Sequence, residues 1–345
     1  MKILAIDTSC DETSGAVVEG RRVSSNVIYS QVLVHKQWGG VVPSLAKRAH
    51  QERIDLVISE SLKKAKMAMD TIDAVAVTQG PGLAIALEVG ISKAKELYLQ
   101  YGKKLIAVNH MEGHLYSPFV QNSKGNPDVP FEFPYLGLLV SGAHTELILW
   151  KDHLTYEVLG ETVDDAAGEA LDKAARLLLG VGYPGGGAIE RIAAEVQFED
   201  RYKFPRTMLK SHDLNFSFSG LKTALLYKFR QMTETERIAE LKHLTSSFQE
   251  AVFDSLLRKL DKAIVQTGIS RVTVGGGVIA NQHLRELLRS LVKKRNGTVL
   301  FPPYKYLTGD NAAMIGVVAG YKAERGLFVD DLQTLDRQPR MRLST

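Results

Sequence analysis

The sequence predicts an α/β protein of two lobes that face each other across a cleft. Three observations point there. Strand-like and helix-like segments alternate along most of the chain. Each half opens on the same plan of apolar strand, short polar turn and second apolar strand, at residues 2–20 and again at 135–150, the mark of an internal duplication. At 345 residues the chain is long for one core and divides into two, each large enough to bury its own interior.

The elements follow in order. "KILAID" (2–7) and "SGAVVEG" (14–20) read as buried strands joined by the polar bend "TSCDET". Helical spacing of apolar residues runs from Pro43 to about Lys66. "IDAVAVTQGPGL" is a strand entering a glycine loop, and "EVGISKAKELYLQYG" is the helix behind it. "KKLIAVNH" is a further strand that delivers His110 to its C-terminal end, where a helix starts at "MEGH". The Pro/Gly/Asn-rich stretch 122–134 is the linker candidate. Beyond it come the hairpin "YLGLLVSGAHTELILW", helices at "AAGEALDKAARLLLG" and "FQEAVFDSLLRKLDKAIVQTG", the strand "RVTVGGG" (271–277) and a last helix, "NAAMIGVVAGYKAERG".

Composition sets outer bounds. Hydrophobic residues make up 45% and charged residues 24%, the balance of an ordinary globular protein. The net charge of +4 leans mildly toward a nucleic-acid partner, although no long basic block appears. The single cysteine, Cys10, excludes a disulfide within the chain and fits a reducing cytosol. The apolar run at the N-terminus is too short for a signal peptide or a membrane span. A cytoplasmic protein without a membrane partner is expected.

Two glycine motifs fail their context. "GVGYPG" (180–185) matches G-x-G-x-x-G but follows a helix, whereas the dinucleotide fingerprint follows a strand. "SGLKT" (219–223) lacks the glycines of a phosphate loop. "PGGG" (184–187) is either a backbone open to a ligand or a helix-ending turn. Three other loops each sit at a strand end. The acidic turn "DTSCDET" carries Asp7, Asp11 and Glu12; "LVSGAHTEL" (139–147) offers Ser141, Gly142 and backbone N–H groups; "GGGVIAN" (275–281) offers Asn281. Two such turns facing each other grip phosphate in one large class of ATP-binding folds, with metal or water between like charges.

"HMEGH" places His110 and His114 four apart, on one helical face and within reach of one metal ion. The zinc-protease motif needs Glu directly after the first His. Here Met111 stands there and Glu112 comes one later, on a different face, so a protease is excluded. A third ligand is needed. Asp310 in "LTGDNAAM" is a candidate, with a helix N-cap as its alternative role.

Ten blocks taken together resemble the bacterial TsaD family, the tRNA threonylcarbamoyladenosine transferases related to the catalytic subunit of the KEOPS complex. They are "DTSCDET", "GGVVPSLAKRAH", "TQGPGL", "VNHMEGHL", "LLVSGAHTEL", "DDAAGEALDK", "YPGGG", "SFSGLKTA", "GGGVIAN" and "TGDNAAMIG". They occur in order and cover nearly the whole chain. The resemblance implies a duplicated actin/sugar-kinase/Hsp70-like (ribonuclease H-like) fold with a nucleotide cleft between the lobes. A first lobe of residues 1–110, with 311–345 packing back onto it, and a second of 111–310 are expected. It implies one divalent metal ion, Fe2+ or Zn2+, on His110, His114 and Asp310. It implies an adenine nucleotide and acyl-adenylate site at Leu139, Val140, Ser141, Gly142, Ala143, Asp172, Gly186, Glu190 and Asn281. Ala143, Gly187 and Glu190 depart from the family's usual Gly, Pro and Asp, which bears on affinity more than on reaction type.

The implied reaction moves threonylcarbamoyl from threonylcarbamoyl-AMP to the exocyclic amine of the adenine 3′ of the anticodon, in tRNAs reading ANN codons. That amine is a poor nucleophile, so the carbonyl must be polarised and the departing AMP stabilised. Asp11 is the first choice of general base and Glu12 the second. Arg337, Arg340 and Arg342 read as a solvated tail, with tRNA phosphate as the alternative. The implied partners are tRNA, a TsaB-like paralogue, a TsaE-like ATPase and a TsaC/Sua-type synthase that supplies the acyl-adenylate. The alternatives are a small-molecule kinase or ATPase of the same fold, needing no tRNA, and a nucleotide-binding scaffold that never turns over.

Overall fold

The computed structural model describes residues 1–209 and 211–343; the last two positions of the expected 311–345 segment lie outside the described residues. Two mixed five-stranded sheets form the frame. In the first, β1 (Lys2–Asp7), β2 (Glu12–Glu19) and β3 (Arg22–Ser30) run antiparallel, and β4 (Ala74–Gly80) and β5 (Lys104–Asn109) add in parallel, in the order β3-β2-β1-β4-β5. In the second, β6 (Tyr135–Val140), β7 (Thr145–Asp152) and β8 (Thr155–Glu161) are antiparallel, and β9 (Arg271–Gly275) and β10 (Thr298–Leu300) add in parallel. The order β10-β9-β6-β7-β8 is the first sheet's plan read from the opposite edge. The repeat legible in two hairpins thus extends over all ten strands.

Helices cover the sheets. On the first lie α2 (Pro43–Ala65) and α3 (Ala84–Tyr101), after the short α1 (Val32–His35). Pro43 opens α2, where its missing N–H costs nothing, and Gly102 at φ +65° closes α3. On the second lie α5 (Ala167–Leu179), α6 (Gly186–Ala194), α7 (Ser219–Gln231), α8 (Glu234–Thr267) and α9 (Gln282–Lys294). Between the sheets, α4 (His110–Tyr116) packs against α10 (Ala312–Glu324). Three cores result: Leu4, Ile6 and Val75 with Ile54 and Ile58; Leu136, Leu138 and Val274 with Phe248 and Val252; and a central one that joins Ile3, Ala5 and Val18 to Leu139, Ile148 and Trp150 through α4 and α10.

The sequence expectations missed several elements. β3, β8 and β10 were not anticipated because each lies at a sheet edge or just inside water, where polar residues dilute the apolar pattern. Helix α8 begins at Glu234, well before the expected "FQEAV", since its first turns are polar and held by a capping box of Thr233 and Glu236. α6, α7 and α9 were also unread. The glycines at 185–187 open a helix rather than end one. "SGLKT" is the first turn of α7, with Lys222 paired to Asp165 at 2.9 Å. The stretch 122–134 has no helix or strand but is pinned: Phe131 and Phe133 pack around Trp150. The C-terminal segment is pinned through its backbone and two buried leucines, while Arg337, Arg340 and Arg342 keep the solvated side chains expected of them. Leu335 and Leu343 are buried, Gln338 N donates to Gln79 O (2.8 Å), and Asn109 Nδ2 donates to Arg342 O (3.1 Å).

One glycine shows how tightly the frame is drawn. A Cβ on Gly275, at the end of β9, would collide with the backbone carbonyl of His114. Gly275→Ala is therefore expected to lower the unfolding free energy by about 1–3 kcal/mol, read as a shifted midpoint in urea titration.

Candidate metal and nucleotide site

The C-terminal ends of β1, β4, β5, β6 and β9 are drawn together, with Asp7 beside His110, Gly82 against Ser9 O, Gly275 against His114 O and Gly276 against Val140 O, the side of the strands on which open α/β sheets bind ligands. Helix α4 begins directly at the end of β5. Asn109 caps it: its Oδ1 accepts from Met111 N at 2.8 Å, while Glu112 Oε2 accepts from Asn109 N at 3.3 Å. This cap fixes His110 in the first turn and His114 one turn on. Gly113, between them, lies so close to α10 that a Cβ would stand 2.8 Å from Met314 Cγ. At the start of α10 the cap is Asn311, whose Oδ1 accepts from Met314 N at 3.1 Å. Asp310 is thereby free of the capping role and turns toward the histidines.

His110 Nε2 lies 3.2 Å and His114 Nε2 3.4 Å from Asp310 Oδ1. The ligand atoms of all three lie within 4.8 Å of one another, and the two rings stand nearly perpendicular at 83°. Asp7 Oδ2, fully buried at the end of β1, is 3.5 Å from His110 Nδ1. Burial works against charge on His110, but Asp310 and Asp7 together outweigh it and raise its affinity for a proton. For His114, burial wins and keeps the ring neutral. Asp310 is burdened by burial, yet the two imidazoles hold its carboxyl well below the usual range. Two imidazoles and a carboxylate, with both His114 ring nitrogens lacking a hydrogen bond among the described residues, are the donor set of iron and zinc sites with an open position. The residues fit a divalent cation. Asp7 was read only as one acid of a turn; its place opposite the ring nitrogen turned away from Asp310 is that of an orienting carboxylate.

The acidic turn is ordered rather than open. Asp11 is buried, and its Oδ1 accepts a 3.0 Å bond from the Tyr183 hydroxyl, which reaches across from the loop before α6. Glu12 is the first residue of β2, not part of the turn; Ser30 Oγ donates to its Oε1 at 3.1 Å. Burial and the neighbouring Asp11 charge push Glu12 up to about 10, so it holds a proton at neutral pH. Beneath the turn, His50 Nε2 sits 3.0 Å from Cys10 O, and its Nδ1 sits 2.7 Å from Thr13 Oγ1. Tyr183 and His50 fall inside two of the blocks that carry the family resemblance, but nothing in the sequence ties either to the acidic turn.

Several of the residues expected to line the nucleotide are already engaged within the protein. Leu139 and Val140 are buried in β6. The Ser141 amide donates to His144 O (2.8 Å), and Ser141 Oγ accepts from Ala143 N (3.3 Å) and His144 N (3.0 Å). Of the turn's amides, Gly142 alone has no internal partner among the described residues. Asp172 Oδ1 accepts from Gly185 N at 2.6 Å, holding the loop that leads to Gly186. Glu190 Oε1 accepts from Gln282 N at 2.7 Å, so it steadies the N-terminus of α9. Asn281 caps α9 through Leu284 N (2.9 Å) and donates to Gln249 Oε1 (3.1 Å), which occupies both ends of its amide.

A family model described as "TsaD: tRNA N6-adenosine threonylcarbamoyltransferase" matches residues 22–317. The chain belongs to the TsaD family. TsaD proteins of Kosmotoga olearia (46% identical over 95% of both chains) and Thermosipho africanus (44% over 99% of this chain and 100% of that one) carry the name tRNA N6-adenosine threonylcarbamoyltransferase. The Staphylococcus carnosus relative, 44% identical over 95% of this chain and 93% of its own, carries it too. Among solved structures, HypF of T. kodakarensis superposes with a TM-score of 0.61 at 13% identity, over 94% of this chain and 48% of that one. The activator of 2-hydroxyisocaproyl-CoA dehydratase from Clostridium difficile superposes with a TM-score of 0.52 at 13% identity, over 94% and 97%. These two place the TsaD chain in the duplicated actin-like, sugar-kinase-like fold. No helix among the described residues is long and apolar enough to cross a membrane.

Glu112, the residue that could suggest a protease, has structural work. Besides closing the α4 cap, its Oε2 pairs with Lys322 Nζ of α10 at 3.1 Å, both side chains largely buried. Glu112→Gln removes the only carboxylate paired with that ammonium among the described residues and leaves it the Ala107 carbonyl at 3.1 Å. It is expected to cost on the order of 3 kcal/mol in urea unfolding, with tRNA modification falling only in proportion to the unfolded fraction.

Proposed function

We propose that this chain transfers the threonylcarbamoyl group of threonylcarbamoyl-AMP to the exocyclic amine of the adenine 3′ of the anticodon in tRNAs reading ANN codons, releasing AMP. The observation that carries the reading is the convergence of His110, His114 and Asp310 beside the acidic turn, in a chain of the TsaD family. A divalent cation, iron or zinc, held by these three side chains would supply Lewis-acid polarisation of phosphate or acyl oxygens. Asp7 keeps the His110 ring turned so that Nε2 faces Asp310. The free Gly142 amide and the loop held by Asp172 receive the adenylate's phosphate and ribose. Leu139, Val140, Ser141, Ala143, Gly186, Glu190 and Asn281 shape the rim that receives the adenine.

The attacking amine must lose a proton. Asp11 accepts it, since Glu12 already holds one; the Tyr183 hydroxyl fixes Asp11 Oδ1 and leaves Oδ2, which has no hydrogen bond among the described residues, for the substrate. The adenine lies in a single-stranded loop and can be splayed into the cleft without opening a duplex. We further propose that residues 1–110 with the segment from 311 onward, and residues 111–310, act as the two lobes. The reading also takes in a cytoplasmic site of action and a partner set of TsaB-like paralogue, TsaE-like ATPase and TsaC/Sua-type synthase.

The test is to supply threonylcarbamoyl-AMP and unmodified tRNA and to weigh the resulting nucleosides. Wild type is expected to form threonylcarbamoyladenosine; His114→Ala and Asp310→Asn are expected to form none and to purify without bound metal. A wild type that phosphorylates a small molecule and leaves tRNA untouched would sink the reading. Asp7→Asn is expected to weaken cation affinity roughly 10–100-fold by competition with a chelator, with circular dichroism unchanged.

A further inference from the structure

Helix α9 carries a cationic row that the chemistry above does not use. Arg285, Arg289 and Lys293 stand one turn apart along one face. Both guanidinium carbons lie over the same ring, 4.8 Å and 4.7 Å from the centre of Phe301. Among the described residues none of the three pairs with a carboxylate, although Arg206 is held by Asp200 and Asp254 and Arg295 by Asp261. Arg285 donates through Nη2 to Pro302 O at 3.2 Å, while its Nε is buried without a partner. Burial, and then the charge of Arg289, disfavours its own. Like charges at this spacing weaken a helix. The fold thus sustains two repelling guanidiniums on one aromatic ring, with no acid to relieve them.

The row is joined to the candidate site along the chain on both sides. It starts one turn beyond Asn281, and Phe301 leads through Pro302 and an exposed Lys305 to Asp310. A span of about 12 Å from Arg285 to Lys293 is longer than one phosphate group needs and suits a run of them. Planar guanidinium forks match phosphate oxygens in pairs.

We infer that Arg285, Arg289 and Lys293, braced by Phe301, bind successive phosphodiesters of the RNA strand whose adenosine enters the cleft. The inference deepens the reading of the chain as a tRNA-modifying enzyme and rests on it. The row fixes the strand's position without reading its sequence.

The test uses the full-length chain, an exposed-site double variant (Arg289→Gln with Lys293→Gln), and fluorescently labelled anticodon stem-loop RNAs of two different sequences, titrated between about 50 and 200 mM salt. Losing two phosphate contacts is expected to lower the slope of log affinity against log salt by about 2. Affinity at the lowest salt should fall roughly ten-fold or more, equally for both sequences, with bound metal retained. A variant that keeps the wild-type slope and affinity overturns the inference, as does a wild type that does not bind the stem-loops. Loss of binding to an acidic protein partner with RNA binding intact overturns it as well. If the variant loses RNA affinity while wild type makes no threonylcarbamoyladenosine, the surface stands and the enzymatic reading falls. If product forms and the slope is unchanged, the surface falls and the enzymatic reading stands.

Discussion

The site depends on one contact, the close approach of α4 to α10 across Gly113. With no Cβ there, the two helices meet so closely that an added Cβ would stand 2.8 Å from Met314 Cγ and 3.1 Å from Ile315 Cδ1 and oblige those buried side chains to shift. That approach sets a partly exposed carboxylate against two buried imidazoles. Three polar groups in an apolar centre are costly unless they satisfy one another or a cation. The surrounding core, with Met111, Leu115, Ala312 and Ile315 all buried, holds them in place. Packing energy from the central core is thus converted into a preorganised ligand set, so that little side-chain ordering is left for the moment of binding.

The rest of the crevice follows the same economy. Most polar groups at its rim are committed to the protein's own backbone: Asn281 to α9, Asp172 to the loop before α6, Ser141 to its own turn. Such groups hold loops in shape and leave few donors and acceptors over for a ligand. The acidic turn is an instance. Glu12 is kept neutral by its surroundings and Asp11 is tethered by a tyrosine from the other half of the chain, so two carboxyl groups share a small volume without facing each other as like charges.

Much of this was legible in the sequence. The repeat showed in two hairpins, and the histidine pair showed in its four-residue spacing. Asp310 was ambiguous because an aspartate just before a helix is commonly its cap; only the structure assigns that task to Asn311. The edge strands β3 and β8 and the polar start of α8 were hidden because half-solvated segments carry weak apolar periodicity. Tyr183, His50 and Asp7 act through partners far away in sequence, at 172, 40 and 103 residues' separation, and no local pattern announces such a contact. Glu190 and Asn281 were named by resemblance, but the bonds of Glu190 to Gln282 N and of Asn281 to Gln249, 92 and 32 residues away, are three-dimensional facts.

The duplicated topology gives the metal triad a particular address. Helix α4 follows β5, the last strand of the first sheet, and Asp310 with α10 follows β10, the last strand of the second. The imidazoles and the carboxylate therefore come from matching stations of the two repeats. A cation held by all three side chains would thus join the two repeats, as a rivet joins two plates, at the place where α4 and α10 already pack together.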